Sequence, residues 1–432
     1  MLDPPARRGL PFAEIVVLGG GVAGLCAAYE LQSNGQHVTI LEARSFPGGR
    51  VQTIRKPFDD GLYAEAGATI VPAGHSVTNK YIQLFDLPLD AVQSSGRNIH
   101  RLFFSQPSNA GLSPEQLLEK YLPEPPIDLN QEMDRISFSD YLRSRGASNA
   151  DIEMIRVEYV EEWGEGIDSY SALSCLYDLA HGHAAPFYRI RGGSDRLPAA
   201  FASRLDRIVY NAVVQEIHQD TAGIQIQFEN EKRIQSLNAD FAVCTIPFSV
   251  LRKIRIDPPL SSAHREVVET LPYTSVSRVY MQMKERFWTA QGFSGNAYTD
   301  LSIATLFHDT VNQPGPRGIL ESYSCSSKAR DIGAMKESDR IDFTLQQTEA
   351  IFPDASLYFE KGVSKFWDDD PWVRGGYAWF PTGQRSKILS TAPLPEGRIH
   401  FAGDHTSDLP GWMQGALSSG MRAASEILKL AR

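Results

Sequence analysis

Residues 15–42 constrain this chain more than any other stretch. Ile15-Val16-Val17-Leu18 is wholly apolar, as in a strand buried on both faces, and Gly19, Gly21 and Gly24 follow at the GxGxxG spacing. Glycine suits these positions because the turn must be tight, the backbone must approach a pyrophosphate, and the next helix must pack on the strand without an intervening Cβ. The Ala- and Leu-rich run from Val22 to Ser33 predicts that helix, its N-terminus facing the anion, and Asn34-Gly35 ends it. His37 to Leu41 reads as a second strand. Glu42 follows directly, where a carboxylate accepts hydrogen bonds from an adenosine ribose. Glycine-rich turns also occur in plain loops. The order of strand, glycines, helix, strand and acid favours a dinucleotide-binding βαβ unit over a purely structural one.

Length and charge set bounds on the rest. With 432 residues the chain has room for about three domains and an enclosed cavity. Its 52 Asp and Glu outnumber 42 Lys and Arg, and no basic run marks a nucleic-acid or anionic-membrane surface. No stretch of 18 apolar residues is present, and the first strand follows the N-terminus too closely for an apolar signal core. The expectation is a cytoplasmic protein acting on a small molecule, without nucleic acid or membrane, and as a homodimer if it assembles. Cys26, Cys175, Cys244 and Cys325 lack metal-ligand or CxxC spacing and read as buried free thiols. No metal site is expected.

The segment Ala43-Arg44-Ser45-Phe46-Pro47-Gly48-Gly49-Arg50 resembles a motif of the flavin amine oxidase superfamily, which includes monoamine, polyamine and L-amino acid oxidases. Further resemblance lies in Asp60 to Pro72, in Tyr188 to Pro198, in Arg374 to Pro381, and in the C-terminal Phe401-Ala402-Gly403-Asp404 and Gly411-Trp412-Met413-Gln414-Gly415. The resemblance implies FAD held by Gly19, Gly21, Gly24, Glu42, Ala43, Arg44, Gly49 and Arg50, by the turn Gly67-Ala68-Thr69, by Trp367, and by Gly403, Asp404, Trp412 and Met413. It also implies backbone contacts to adenine near Val214. Monoamine oxidases carry a cysteine for covalent flavin attachment in the turn where this chain has Tyr377, so noncovalent FAD is implied. A helix starting near Met413 would point its N-terminus at the flavin pyrimidine ring and favour the anionic reduced form.

The resemblance departs from L-amino acid oxidases at Ile70, where they usually offer an arginine to the substrate carboxylate. An isoleucine cannot replace a bidentate guanidinium. Asn296, or its neighbour Ala297, stands where oxidases commonly place a lysine that assists reaction with oxygen, which puts oxygen as acceptor in question. Tyr323 matches a tyrosine that assists carboxylate binding and reads equally as a structural strand residue. The expected substrate side thus comprises Ile70, Asn296, Tyr323, Tyr377 and Trp412, with Tyr377 and Trp412 as two aromatic walls around the amine nitrogen and the candidate catalytic residues. The implied reaction is FAD-dependent oxidation of a C–N bond by hydride transfer to flavin N5, giving an imine that hydrolyses. The alternatives are a desaturase or isomerase of an apolar substrate and, third, a non-enzymatic flavoprotein.

The expected fold class is α/β, α+β overall: a discontinuous Rossmann-like FAD-binding domain (1–55, 189–272 and 396–432), a mixed-sheet substrate domain (56–110 and 273–395) and a helical subdomain (111–188). Within these, the sequence predicts a helix from Val77 to Phe85, a strand at 101–104, a surface passage from Pro107 to Pro126, and short helices between Ser137 and Leu179. Beyond them it predicts a helix from Leu197 to Leu205, a strand from Ile208 to Val214, and strand pattern from Tyr273 to Leu306.

Overall fold

The computed structural model describes residues 12–431 except 94, 106–110, 123–128, 161 and 183–184. At its centre lies a five-stranded parallel sheet in the order Ile399–Phe401, Phe241–Cys244, Glu14–Leu18, His37–Leu41, Ile208–Val209. Successive side chains of a strand point to opposite faces. Ile15 and Val17 therefore pack with the helices Val22–Ser33 and Met413–Leu430, while Val16 and Leu18 pack with a second sheet and its neighbouring helices. Burial on both faces explains why the central strand reads as an unbroken apolar run.

The second sheet is a meander of Val213–Gln219, Ile224–Asn230 and Arg233–Ala239, with Arg255–Asp257 parallel to the first of them. A third sheet orders Phe359–Phe366, Val276–Met283, Gly318–Cys325, Thr305–His308, Phe293–Thr299 and Arg97–Arg101. It is mixed, because Phe293–Thr299 runs parallel to Arg97–Arg101 while the other pairings are antiparallel. A small antiparallel sheet joins Val71–Pro72, Phe187–Ile190 and Leu89–Ala91. The helices Pro114–Tyr121, Phe138–Ser144, Asn149–Glu158 and Ala172–His181 enclose an apolar cluster that includes Leu117, Phe138, Leu142, Ile155 and Leu176. All four cysteines are buried thiols, none of them in a disulfide among the described residues. No described helix is long and apolar enough to cross a membrane.

Several element boundaries differ from the sequence expectation. The strand placed at 101–104 is Arg97–Arg101, and Phe103 and Phe104 instead donate backbone hydrogen bonds to Asp300. The passage from Pro107 to Pro126 contains the helix Pro114–Tyr121, started by a reciprocal Ser113–Gln116 capping box with Pro114 at the first turn. Ile208 to Val214 is split at Tyr210–Ala212: Ile208–Val209 joins the parallel sheet and Val213 starts the meander. Between Tyr273 and Leu306 the chain also forms a helical turn, Phe287–Ala290. The helix expected at 197–205 spans Arg196–Ala202, and that at 77–85 spans Ser76–Leu84.

The terminal helix crosses Val22–Ser33 at Gly420, where a Cβ would stand 2.4 Å from the Ala23 carbonyl oxygen. Helix propensity alone favours alanine over glycine by about 1 kcal/mol. Overpacking against a backbone carbonyl costs about 1–3 kcal/mol and outweighs it. Gly420→Ala is therefore expected to lower the urea midpoint of unfolding; an unchanged or raised midpoint would show that the two helices have room to part.

Candidate active site

A continuous cavity of about 870 Å³ runs from the glycine turn to the third sheet. This lies within the roughly 300–1,000 Å³ usual for ligand and cofactor clefts. Two helix N-termini open on it. Val22–Ser33 is preceded by Gly21 and Met413–Leu430 by Trp412; neither has a side-chain cap or an acidic residue in its first turn. Uncapped first-turn amides favour an anion. A Cβ on Gly21 would meet no atom within 4 Å, so the turn leaves open space where a side chain would otherwise stand. Gly19 has φ +107°, and its Cβ would stand 2.7 Å from the Thr245 hydroxyl. Gly24 is the exception among the expected cofactor contacts: it does not line the cavity. Its Cβ would meet the Gly19 carbonyl at 2.1 Å, so its place is in the helix–strand packing.

The remaining expected cofactor residues all line the cavity: Gly19, Gly21, Glu42, Ala43, Arg44, Gly49, Arg50, Gly67, Ala68, Thr69, Val214, Trp367, Gly403, Asp404, Trp412 and Met413. Glu42 accepts the backbone amides of Gly20 at 2.6 Å and Arg44 at 2.7 Å; burial pushes its carboxyl up against those bonds. The Arg44 guanidinium is turned to Asp370 at 2.5 Å and to the Gly49 carbonyl at 3.0 Å. Trp367 donates its indole N–H to the Ala66 carbonyl at 2.8 Å and so holds the turn that precedes Gly67. Arg50 and Asp404 form a bidentate ion pair, Nη2 to Oδ1 and Nη1 to Oδ2, the latter at 3.1 Å. Arg50 Nη1 also donates to the Gly376 carbonyl, and Asp404 Oδ2 accepts the Gly411 amide at 2.9 Å. Burial works to raise the Asp404 carboxyl, but Arg50 and His405 outweigh it and hold the group well below the usual carboxylate range.

The expected substrate residues Ile70, Asn296, Tyr323, Tyr377 and Trp412 also share this cavity. Asn296 rather than Ala297 faces it, its Oδ1 accepting the His308 amide at 2.9 Å, while Ala297 is in the apolar core. Tyr377 packs against Gly411, the residue before Trp412: a Cβ on Gly411 would lie 3.2 Å from the Tyr377 ring. Both are held from the helical region: the Gly164 amide donates to the Tyr377 hydroxyl at 3.1 Å, and the Trp412 indole donates to Asp178 Oδ1 at 2.8 Å. Burial pushes the Asp178 carboxyl up to about 6, against the hydrogen bond from the Trp412 indole.

Sequence reasoning missed a charged group at the same end. Arg278 and Tyr323 are cross-strand partners, the guanidinium 4.4 Å from the ring centre, and Glu321 lies 3.2 Å from Arg278 Nη1. Arg189 pairs with Asp309 at 2.9 Å, and His308 stands nearby. Burial raises the Glu321 carboxyl to about 8, against Arg278, and lowers His308 to about 3, aided by Arg286 and Arg189. A lone arginine inside the otherwise uncharged strand Val276–Met283 was the available sequence signal for Arg278.

A family model described as flavin containing amine oxidoreductase matches residues 22–428, almost the whole chain. The chain belongs to that family. It is a flavin-dependent amine oxidoreductase acting on small molecules. Its relatives include YobN of Bacillus subtilis (strain 168), an inferred L-amino-acid oxidase, 32% identical over 468 residues that cover 98% of this chain and 97% of YobN. The L-amino-acid oxidase of Crotalus adamanteus is 26% identical, over 96% of this chain and 86% of its own length. Among solved structures, cyclohexylamine oxidase from Brevibacterium oxydans superimposes with a TM-score of 0.82 at 20% identity, covering 97% of this chain and all of the other. A putrescine oxidase with putrescine bound gives 0.81 at 20% identity, covering 97% and 99%. These two establish the shared fold. The family and its oxidase relatives do not favour the desaturase or isomerase alternative.

The ion pair yields a test. Asp404→Asn leaves a partly buried guanidinium without its counter-charge, a change that costs up to about 3–5 kcal/mol. The variant is expected to unfold at correspondingly lower denaturant and to retain less flavin through gel filtration. With a folded-state value below the unfolded value of about 3.9, Asp404 contributes stability above that pH and loses it as pH falls through the folded-state value. The acid limb of wild-type unfolding should therefore be blunted in the variant.

Proposed function

We propose that the flavin is FAD, held noncovalently with its pyrophosphate at Gly19–Gly21 and the first helix N-terminus, and that amine oxidation takes place between Tyr377 and Trp412. The observation that carries this reading is the meeting of two uncapped helix N-termini and an aromatic pair in one cavity. Glu42 supports the adenosine end, since a carboxylate oxygen that accepts one backbone amide keeps a second lone pair for a ribose hydroxyl. Val214, beside a bulge in its strand, supports backbone contacts to adenine.

When bound, flavin supplies a two-electron acceptor for the hydride leaving the carbon next to nitrogen. The protein's part is to orient that carbon, exclude water and favour the neutral amine. Tyr377 and Trp412 present ring surface to the nitrogen, and their polar ends are already engaged by Gly164 and Asp178, which fixes both rings before substrate enters. The N-terminus at Met413 stabilises negative charge gathering at the adjacent end of the cavity. The imine product then hydrolyses.

Anaerobic mixing of the FAD-loaded protein with primary amines, secondary amines and L-amino acids should bleach the visible flavin band with at least one class. Trp412→Ala should slow that bleaching about 10- to 100-fold, the cost of losing alignment by about an ångström. An unchanged rate would remove Trp412 from the site. Asn296 offers no ammonium, so recovery of the band in air is expected to be slow; fast recovery would make oxygen the acceptor. Acid precipitation should release intact FAD and leave colourless protein, whereas flavin retained on the polypeptide would refute noncovalent binding.

A further inference from the structure

We propose that Arg189 anchors a carboxylate of the amine substrate, so that the enzyme takes amino acids or amino-acid-like amines in preference to simple amines and diamines. This rests on the cavity being the site of C–N oxidation, as argued above. Arg189 lies in the strand Phe187–Ile190, one step beyond the antiparallel pair Val71–Tyr188, and so stands across from Ile70 on the cavity wall. A guanidinium is therefore present beside position 70, delivered by a different strand.

The state of that guanidinium is the main argument. Its Nη1 donates to Asp309, to the backbone carbonyl and, at 2.9 Å, to Oδ1. Among the described residues nothing accepts from Nε or Nη2. One end of the guanidinium is thus backed by Asp309; Nε is buried without a partner, and Nη2 is left to donate a charge-assisted hydrogen bond to a carboxylate. Arg278 likewise has no partner for Nε among the described residues, but its Nη1 donates to the Glu65 carbonyl and the Thr69 hydroxyl and lies beside Glu321, and its guanidinium stands over the Tyr323 ring. His308, 6% exposed, has no partner for Nε2 among the described residues and lines the same end of the cavity.

Local charge agrees. Burial raises both Glu65 and Glu321 to about 8, so at neutral pH they are largely protonated. The array of Arg189, Arg278, Asp309, Glu65 and Glu321 then carries two guanidiniums against the one remaining carboxylate, Asp309. An anion neutralises it; a second ammonium, as on a diamine, would need Glu321 ionised and drawn away from Arg278.

The test uses FAD-loaded wild-type, Arg189→Met and Arg189→Lys proteins with matched pairs: L-phenylalanine against phenethylamine, and L-ornithine against 1,4-diaminobutane. Anaerobic flavin reduction reads saturation and limiting rate, and titration with benzoate, followed by the flavin absorption spectrum, reads anion binding without turnover. Wild type should reduce at far lower concentrations of the amino acid than of its partner amine. Arg189→Met should raise the half-saturating amino-acid concentration on the order of 100-fold, the usual scale for truncating one partner of a buried charge pair. The amines should shift far less than the amino acids, and benzoate binding should be lost. Arg189→Lys keeps the charge but not the fork, and should fall between the two. Better reduction by the amine or diamine in wild type would overturn the proposal. So would unchanged amino-acid saturation and benzoate binding in Arg189→Met or, if that variant does not fold, in Arg189→Lys. If nothing in the panel reduces the flavin, the oxidation reading fails by itself; benzoate binding that depends on Arg189 would still uphold the anion site, and binding that does not would overturn it.

Discussion

Arg50 and Asp404 are 354 positions apart and meet in a buried bidentate ion pair. The rest of the cleft depends on that contact. Arg50 follows the glycine turn Gly48-Gly49 that lies against Gly21, and Asp404 follows the strand Ile399–Phe401 at the far edge of the parallel sheet. Through Gly376 the same guanidinium holds the turn carrying Tyr377, and through Gly411 the same carboxylate holds the approach to Trp412. A buried pair of this kind is weak evidence for net stability, because desolvation offsets much of the attraction. Its value here is geometric: with every oxygen and most donors engaged, the N-terminal and C-terminal motifs can meet in one register.

The helical region completes the site from the other side. Gly164 donates a hydrogen bond to the Tyr377 hydroxyl and Asp178 accepts one from the Trp412 indole, so the rings are oriented by a segment that is separate from the parallel sheet. The apolar cluster around Phe138 and Leu142 gives that segment its own rigidity. Orientation of the aromatic pair and closure of the cavity are thus coupled to the same packing. A loosely packed cap would leave both rings free to turn, and alignment is most of what a hydride transfer asks of the protein.

At the opposite end the cavity departs from an apolar pocket. Ile70 lies beside Arg189, and Arg278, Tyr323, Glu321 and His308 surround the space between the two sheets. Burying so many ionisable groups is costly unless they are paired, and the structure pairs most of them: Arg189 with Asp309, Arg278 with Glu321 and two oxygens of the 65–69 turn. Arg189, Arg278, His308 and Glu321 all line that end of the cavity.

The cofactor half of the protein was legible because its constraints are local. The glycine turn, the helix Val22–Ser33, the strand His37–Leu41 and the helix start at Met413 all stand where spacing put them, since each follows from backbone geometry within a few residues. Boundaries failed where tertiary pairing decides, as when Ile208–Val209 joined one sheet and Val213 the next. The substrate end was the least legible. Nothing in Tyr188-Arg189-Ile190-Arg191 distinguishes an arginine that lines the cavity from Arg191, which pairs with Asp90 at the surface. Only the pairing of that strand with Val71–Pro72 turns Arg189 inward beside Ile70. The sequence by itself determined the βαβ unit with its glycine turn and the flavin family. The tertiary structure decided which charges share the substrate's end of the cavity, because strand register brings together residues more than a hundred positions apart and no local pattern records it.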